Sequence, residues 1–454
     1  MCRDCRQLVP ARLLEVDGAV FQERICPRCG PARTRIADDV GWFLSRQATP
    51  VRCKPALQPG SAVRAGCPHD CGPCAAHANA CHLPVFSITN ACNMECPICF
   101  TFNRPDQRYF MAPAELRMLL DRLLERAGPL DLVNITGGEP TLHPDLFALL
   151  RECRRPGIGR VTMNTNGLRL AEDEDLCRAL ADAGVYVVLS FDTFRPERAL
   201  RIHGRDVIDI KRRALANLQR HGIGTTLLNV MIRGLNDDEV GEVVALAQAH
   251  SVVRSVTVQT MAFTGHGGRN FQPRIPMPLD GAARAIEAGT AGALRAADFF
   301  AHSGAHPMCY SVGYFLKDGA RLRSLTDFLS VEELGAMLGT GYLLQPGEAA
   351  AELFQRAIDR LWAAGDDTRL LPAIRRLLEQ MYPPGRALTA AARQSVAEEQ
   401  LLAIYLHSHM DEDTLDLARL QACPDQVPDP EGRLIPACAY NLFYRAKDPR
   451  FWCT

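Results

Sequence analysis

The chain has 454 residues, 47% hydrophobic and 23% charged, with a formal net charge of −1. That length permits a large buried core and more than one domain, and the composition is that of an ordinary globular protein. Near-neutral charge removes the electrostatic reason to expect nucleic acid or an acidic membrane surface as partner, and no run of about 18 apolar residues offers a transmembrane helix.

The unusual quantity is 18 cysteines. They cluster in C-x2-C and C-x3-C pairs, and the opening MCRDCRQLVP lacks the apolar stretch of a signal peptide. Clustered thiols of this kind point to metal ligands in a reducing compartment, hence to a cytoplasmic protein.

In chain order, residues 1–50 carry Cys2, Cys5, Cys26 and Cys29 as C-x2-C-x20-C-x2-C, with a strand-like LLEVDGAVF between the pairs. Two such knuckles close round one tetrahedral ion, zinc or a mononuclear iron. The module reads either as a structural staple or as an electron relay. Residues 51–83 are rich in Cys, Pro, Gly and His, and Cys67, Cys71 and Cys74 form C-x3-C-x2-C, with Cys81 available as a fourth thiolate.

From residue 84 the rhythm becomes strand and helix. VFSIT (85–89), LVNIT (132–136), RVTMN (160–164), VYVVLS (185–190), TTLLNVMI (225–232) and SVTVQTMAF (255–263) read as strands. Between them, 116–126, 144–153, 175–184, 207–221 and 239–250 have helical apolar spacing. Six strands with helical crossovers predict an α/β fold, a partial (β/α)6 barrel over 84–280, with reactive groups at the C-terminal ends of the strands. Residues 281–454 read as a mostly helical region closed by a cysteine-bearing tail. Cys153 and Cys177 fall on helix faces as buried apolar thiols. His302, His306, His407 and His409 read as hydrogen-bonded structural residues. Tyr310, Asn441 and Tyr444 are candidates to approach a substrate, and Gly265, Gly267 and Gly268 to admit one.

Chemistry concentrates after the first barrel strand. Cys92, Cys96 and Cys99 repeat C-x3-C-x2-C, and three thiolates hold an iron–sulfur cube by three corners, leaving one iron open. TGGEP (136–140) follows the second strand, its paired glycines allowing a ligand close to the backbone and Glu139 offering a carboxylate to an ammonium group. With NTNG (164–167) after strand three and LSFD (189–192) after strand four, this set resembles the radical S-adenosylmethionine (radical SAM) superfamily over residues 84–263.

The resemblance implies that Cys92, Cys96 and Cys99 ligate a catalytic [4Fe–4S] cluster and that Gly137, Gly138 and Glu139 contact the methionine amine of S-adenosylmethionine. It places Asn166, Ser190 and Asp192 near the ribose or carboxylate. The implied activity is reductive cleavage of S-adenosylmethionine to a 5′-deoxyadenosyl radical that removes hydrogen from an unactivated C–H.

GCPHDCGPCAAHANACHLP, HPMC (306–309) and LIPACAYNLFYR (434–445) further resemble the branch containing tetraether lipid synthases and a pterin-associated radical methyltransferase. That branch implies carbon–carbon bond formation: methylation of a pterin or lipid-like substrate, or joining of alkyl chains. It also implies auxiliary clusters, one on Cys67, Cys71, Cys74 and Cys81, another on Cys309, Cys423 and Cys438 with Cys453 or Cys53. Two to three [4Fe–4S] clusters, one mononuclear zinc or iron, and an electron donor such as flavodoxin or ferredoxin follow. A lipid substrate would make the protein membrane-peripheral. The family pattern has a further cysteine before HPMC, where this chain has Ser303 nearby. The competing readings are a radical SAM enzyme modifying peptides or natural products and, of another class, a zinc-binding scaffold or RNA-interacting protein on a degenerate barrel.

Overall fold

The computed structural model describes all residues except 58–61, 73, 102–107, 340, 342, 345–346, 364, 366–369 and 452–454. Cys453 therefore lies outside the described residues.

The N-terminal cysteines sit on a three-stranded antiparallel sheet, β1 (Ala11–Val16), β2 (Ala19–Cys26) and β3 (Gly30–Ala37). Asp17 and Gly18 turn β1 into β2 with φ of 51° and 76°, the backbone that Asp-Gly supplies in two-residue hairpins. The run read as one strand is thus a hairpin.

All six expected barrel strands are present: β4 (Leu83–Ser87), β5 (Val133–Thr136), β6 (Val161–Thr165), β7 (Tyr186–Ser190), β8 (Thr225–Met231) and β9 (Val253–Thr260). Neighbours pair in parallel, in sequence order. Crossover helices cover the outer face with the stripes the spacing predicts. On Pro113–Ala127, for example, Leu116, Leu119, Leu120 and Leu123 are buried.

The remainder of the chain is more than helical. It adds β10 (Phe300–Ala301), β11 (Tyr310–Asp318), β12 (Arg321–Ser324), β13 (Leu401–Ser408), β14 (Asp425–Pro428) and β15 (Leu434–Pro436). β13 joins β9 in parallel and β14 joins β4 in parallel, so six plus two parallel strands line the barrel. β11 runs antiparallel beside β13, and β15 beside β14. The helical reading missed β11 and β13 because YSVGYFLKD is buried over its first seven residues and LLAIYLHS is apolar on both faces over most of its length, which blurs the alternation that separates a strand from a buried helix. The expected helices are real: Glu348–Ala363 and Leu370–Met381 build a second core with Phe354, Ile374 and Leu377 against Val312 and Leu316 of β11.

The two extensions meet through side chains. Tyr310 of β11 donates its hydroxyl to the Asp425 carboxylate of β14. The His407 ring of β13 stacks on Tyr310 with centroids 3.9 Å apart. Among the described residues no helix is long and apolar enough to cross a membrane.

Candidate active site

At the C-terminal end of β4 the chain stays extended and is sewn to the neighbouring loop. Ile88 N–H donates to the Thr136 carbonyl, Gly138 N–H to Thr89 and Glu139 N–H to Ala91. A Cβ on Gly137 would stand 2.3 Å from the Thr89 oxygen, and one on Gly138 2.2 Å from the Ala91 oxygen. The glycine pair is demanded by this backbone contact, whatever ligand also approaches it. The effect is to fix the loop that begins at Cys92.

Glu139 is 1% exposed. Its Oε1 accepts from the Thr141 amide, the Thr141 hydroxyl and the Thr165 hydroxyl, and its Oε2 from the Asn166 amide at 2.8 Å. Burial pushes the carboxyl above its ordinary value against the pull of those donors. Oε2 retains a free lone pair, the one acceptor position left for an ammonium group. Asn166 binds the other way, its Nδ2 donating to Asn93 Oδ1 at 2.7 Å. The tips of β5 and β6 and the cysteine loop are thereby one hydrogen-bonded unit.

Ser190 and Asp192 form a second unit with a residue the motifs did not indicate. Lys211 is 2% exposed. Its Nζ donates to Ser190 Oγ at 2.9 Å and stands 3.8 Å from Asp192, which also faces His203 Nε2 at 3.1 Å and accepts from the Val230 amide. Burial lowers the lysine, opposed by Asp192 and then by the Cys96 thiolate. Asp192 is thus held by His203 and the Val230 amide, and Lys211 lies within electrostatic reach of both Asp192 and Cys96. A lysine on the buried stripe of Ile208–Arg220, in line with Ile208, Leu215 and Leu218, was the signal in the sequence.

Cys92, Cys96 and Cys99 are half-buried beside both units. Burial pushes Cys92 up to about 11 and Cys96 up to about 12, with Lys211 opposing at Cys96. The far side of the loop is clamped by the short helix Gly265–Asn270: Gly267 N–H donates to the Cys99 carbonyl and Thr264 to the Phe100 carbonyl. A Cβ on Gly265 would reach 2.4 Å from Phe100 backbone, so these glycines also serve packing.

The loop opens on a cavity of about 340 Å³ inside the barrel, whose lining includes Phe100, Gly137, Asn441, Arg445, Tyr310, Gln259 and His407. Tyr310 and Asn441 thus reach the cavity. Tyr444 does not line it; its hydroxyl donates to the Pro68 carbonyl and accepts from the Cys71 amide.

The remaining thiols fall into groups. Burial first, then neighbouring thiolates, push Cys67 to about 11 and Cys71 to about 12, with Cys74 acting on both. Cys309 and Cys438 act on Arg419, whose Nε donates to Cys309 Sγ at 3.3 Å, and both thiols act on Cys423. Cys438 Sγ accepts from the Met410 amide and faces His409 Nδ1 at 3.5 Å. Cys81 is raised by burial and by Asp425, the carboxylate that also acts on Cys423. Ser303 donates its hydroxyl to the Gly339 carbonyl, and Cys53 is half-buried. Cys153 and Cys177 are core thiols, as expected.

Cys2, Cys5, Cys26 and Cys29 have sulfurs all within 4.8 Å of one another, the only such ligand group among the described residues. That spacing suits one tetrahedral ion, whose sulfurs stand about 3.8 Å apart at metal bonds of about 2.3 Å. Cys92, Cys96 and Cys99 do not all meet that limit, which fits thiolates on separate metals of a cluster better than on one ion.

Residues 86–247 match the Radical SAM superfamily and residues 1–38 the HMPTM N-terminal zinc ribbon domain. The chain thus carries a radical SAM domain behind an N-terminal zinc ribbon, the class that the parallel barrel and its three-cysteine loop define. Nearly end to end it is similar to the 7,8-dihydro-6-hydroxymethylpterin dimethyltransferase of Methanocaldococcus jannaschii, with 25% identity covering 98% of this chain and 93% of that protein. It is 36% identical to the GTP 3′,8-cyclase of Chlorobaculum tepidum over 38% of this chain, and spans 52% of that protein. Among solved structures, Streptococcus suis SuiB bound to its precursor peptide SuiA aligns with TM-score 0.40 and 19% identity over 47% of this chain and 46% of that one.

Proposed function

We propose that this radical SAM enzyme methylates a reduced pterin at carbon. The observation that carries this reading is the end-to-end similarity to a pterin dimethyltransferase, ribbon included. In it, Cys92, Cys96 and Cys99 hold a [4Fe–4S] cluster with one open corner for S-adenosylmethionine. When bound, the pair supplies a carbon-centred radical able to take hydrogen from an unactivated C–H.

The chain's own residues position and shield. Lys211, beside Cys96 and hydrogen-bonded to Ser190, presents a cation to the carboxylate end of the cofactor. The spare lone pair of Glu139 Oε2 faces its amine. The Tyr310–Asp425 contact closes the barrel wall against water. Cys67, Cys71 and Cys74 hold one auxiliary cluster. Cys309, Cys423 and Cys438 hold another, and the shared influence of Asp425 favours Cys81 as its fourth ligand over Cys53 or Ser303. Zinc occupies the N-terminal four-thiol site, and a flavodoxin or ferredoxin delivers the electron.

The test is anaerobic reconstitution with iron, sulfide, a reductant, 7,8-dihydro-6-hydroxymethylpterin and excess S-adenosylmethionine, one molecule cleaved as radical source and another serving as methyl donor. Release of 5′-deoxyadenosine together with a pterin heavier by one or two methyl groups is expected. Cofactor cleavage with the pterin recovered unchanged would overturn the substrate, and an iron-free zinc protein would overturn the whole reading.

A further inference from the structure

The cavity wall carries amide groups that the described residues leave unanswered. β9 directs Thr257 and Gln259 into the cavity while Val256 and Val258 are buried on the opposite face. Gln259 pairs in register with Val230 of β8 on one side and His407 of β13 on the other, and His407 with Tyr310 of β11.

His407, Tyr310 and Asp425 satisfy one another: the rings stack, Tyr310 donates to Asp425, and His407 Nε2 stands 3.7 Å from the same carboxylate. The carboxamide of Gln259 has no such partner; among the described residues it neither donates nor accepts a hydrogen bond. Elsewhere on the wall, Asn134 Nδ2 donates to Thr162 Oγ1 at 2.9 Å and to Asn164 Oδ1 at 2.8 Å, which leaves the Asn164 Nδ2 donors turned to the cavity without an acceptor among the described residues. Apolar side chains, Val188, Leu228 and Val230, separate these amides along the wall.

Gln259 is partly buried on the cavity wall, and its unpartnered carboxamide is free to pair with whatever fills the cavity. Two donors and an acceptor in one plane match a lactam or amidine edge bidentately, the geometry by which Gln reads adenine. An alkyl chain offers nothing to pair with it.

Resting on the pterin reading of the same cavity, we infer that Gln259 is the specificity-determining residue that pairs with the pyrimidinone edge of a flat heterobicyclic substrate. Val230 and Leu228 then pack on the face of the bicycle, and Asn164 meets a polar substituent on another edge.

The experiment measures binding of 6-hydroxymethylpterin, through its own fluorescence, to the reconstituted protein and to Gln259→Met, which keeps side-chain length without the amide. Loss of one bidentate pair weakens binding about 10- to 100-fold. The analogue 3-methylpterin, which lacks the N3–H donor of the lactam, reads the edge directly: wild type distinguishes the two, and Gln259→Met does not. Should Gln259→Met melt early, Gln259→Asn, which withdraws the amide by one methylene, carries the test with a smaller loss.

Pterin binding equal in wild type and both variants, with discrimination retained, overturns the role of Gln259 and leaves the substrate reading standing. No pterin binding by wild type, with a fatty alkyl probe held equally by all three proteins, overturns both.

Discussion

The chain builds two cysteine sites at opposite extremes of design. In the N-terminal ribbon four sulfurs converge within 4.8 Å, and the module is docked by charge. Arg3 and Arg24 pair with Asp413, Arg6 pairs with Glu412, and Gln22 donates to the Leu415 carbonyl. At the barrel mouth three sulfurs are spread wider, and the loop is fixed by backbone: the amides of Gly138, Glu139 and Gly267 and glycines that no side chain could replace. A module whose ion supplies its own core tolerates an ionic mooring. On the proposed reading the loop presents an open metal corner to a reacting bond, and such a loop has to be placed to a fraction of an ångström. One site is cross-linked, the other is aimed.

The sharpest way to break that comparison is to remove one thiol from each. Cys96→Ala should abolish 5′-deoxyadenosine release and lower bound iron by one cluster, with the melting curve of the barrel nearly unchanged, because the backbone ladder round the loop survives. Cys26→Ala should unfold residues 1–38, read by protease sensitivity there and loss of the bound ion, while the barrel keeps its cluster. Wild-type cofactor cleavage by Cys96→Ala would end the assignment of the open-cornered site.

How much of this was legible beforehand differs between the same two regions. The ribbon was legible as spacing alone, since C-x2-C pairs fold locally, and the six barrel strands were legible because their apolar runs are separated by clean helical stripes. The three-cysteine loop and its partner motif were legible too, but the packing role of the glycines was not. It lies in the Thr89 and Ala91 carbonyls, 48 and 47 positions away in sequence, which no local pattern reveals. β11 and β13, Lys211 and Gln259 were missed for a related reason. Each has meaning only once the sheet brings distant segments to one cavity, and a strand buried on both faces loses its alternation. The influence of Asp425 on Cys81 was likewise out of reach of the sequence, since some 340 residues separate them.

Next in size is the mooring. Arg24 and Asp413 are 2% and 4% exposed, so Asp413→Ala strands a buried guanidinium, at about 3 kcal/mol or more. The ribbon should become protease-sensitive and the 5′-deoxyadenosine yield should fall less than stability does. Equal loss of both would mean that the ribbon shapes the active site directly. Smaller still is Gly138→Ala, where a Cβ must displace the Ala91 carbonyl. Overpacking of that kind costs about 1–3 kcal/mol. Because the displaced atoms carry the cysteine loop, iron retention and cofactor cleavage should drop more than the melting temperature.

Acid separates the two regions by sign. Burial alone would raise Asp413, but Arg3 and Arg24 outweigh it and hold its carboxyl below the ordinary 3.8. A depressed acid stabilises the fold above its unfolded value, and that contribution is lost as pH falls through the folded one. Glu139 is the reverse. Burial raises it above the ordinary 4.5, so its contribution is complete below that value and declines as pH rises through the folded pKa. Lowering the pH from about 5 to about 3 should therefore loosen the ribbon while the Glu139 unit tightens. Amide-exchange protection, corrected for intrinsic rates, reads both in one sample. Protection on β2 should fall across this window and that of the Thr141 and Asn166 amides should hold or rise. A parallel fall at both places would show that the ribbon and the loop unfold as one unit and that the ionic mooring is no weaker than the backbone it is contrasted with.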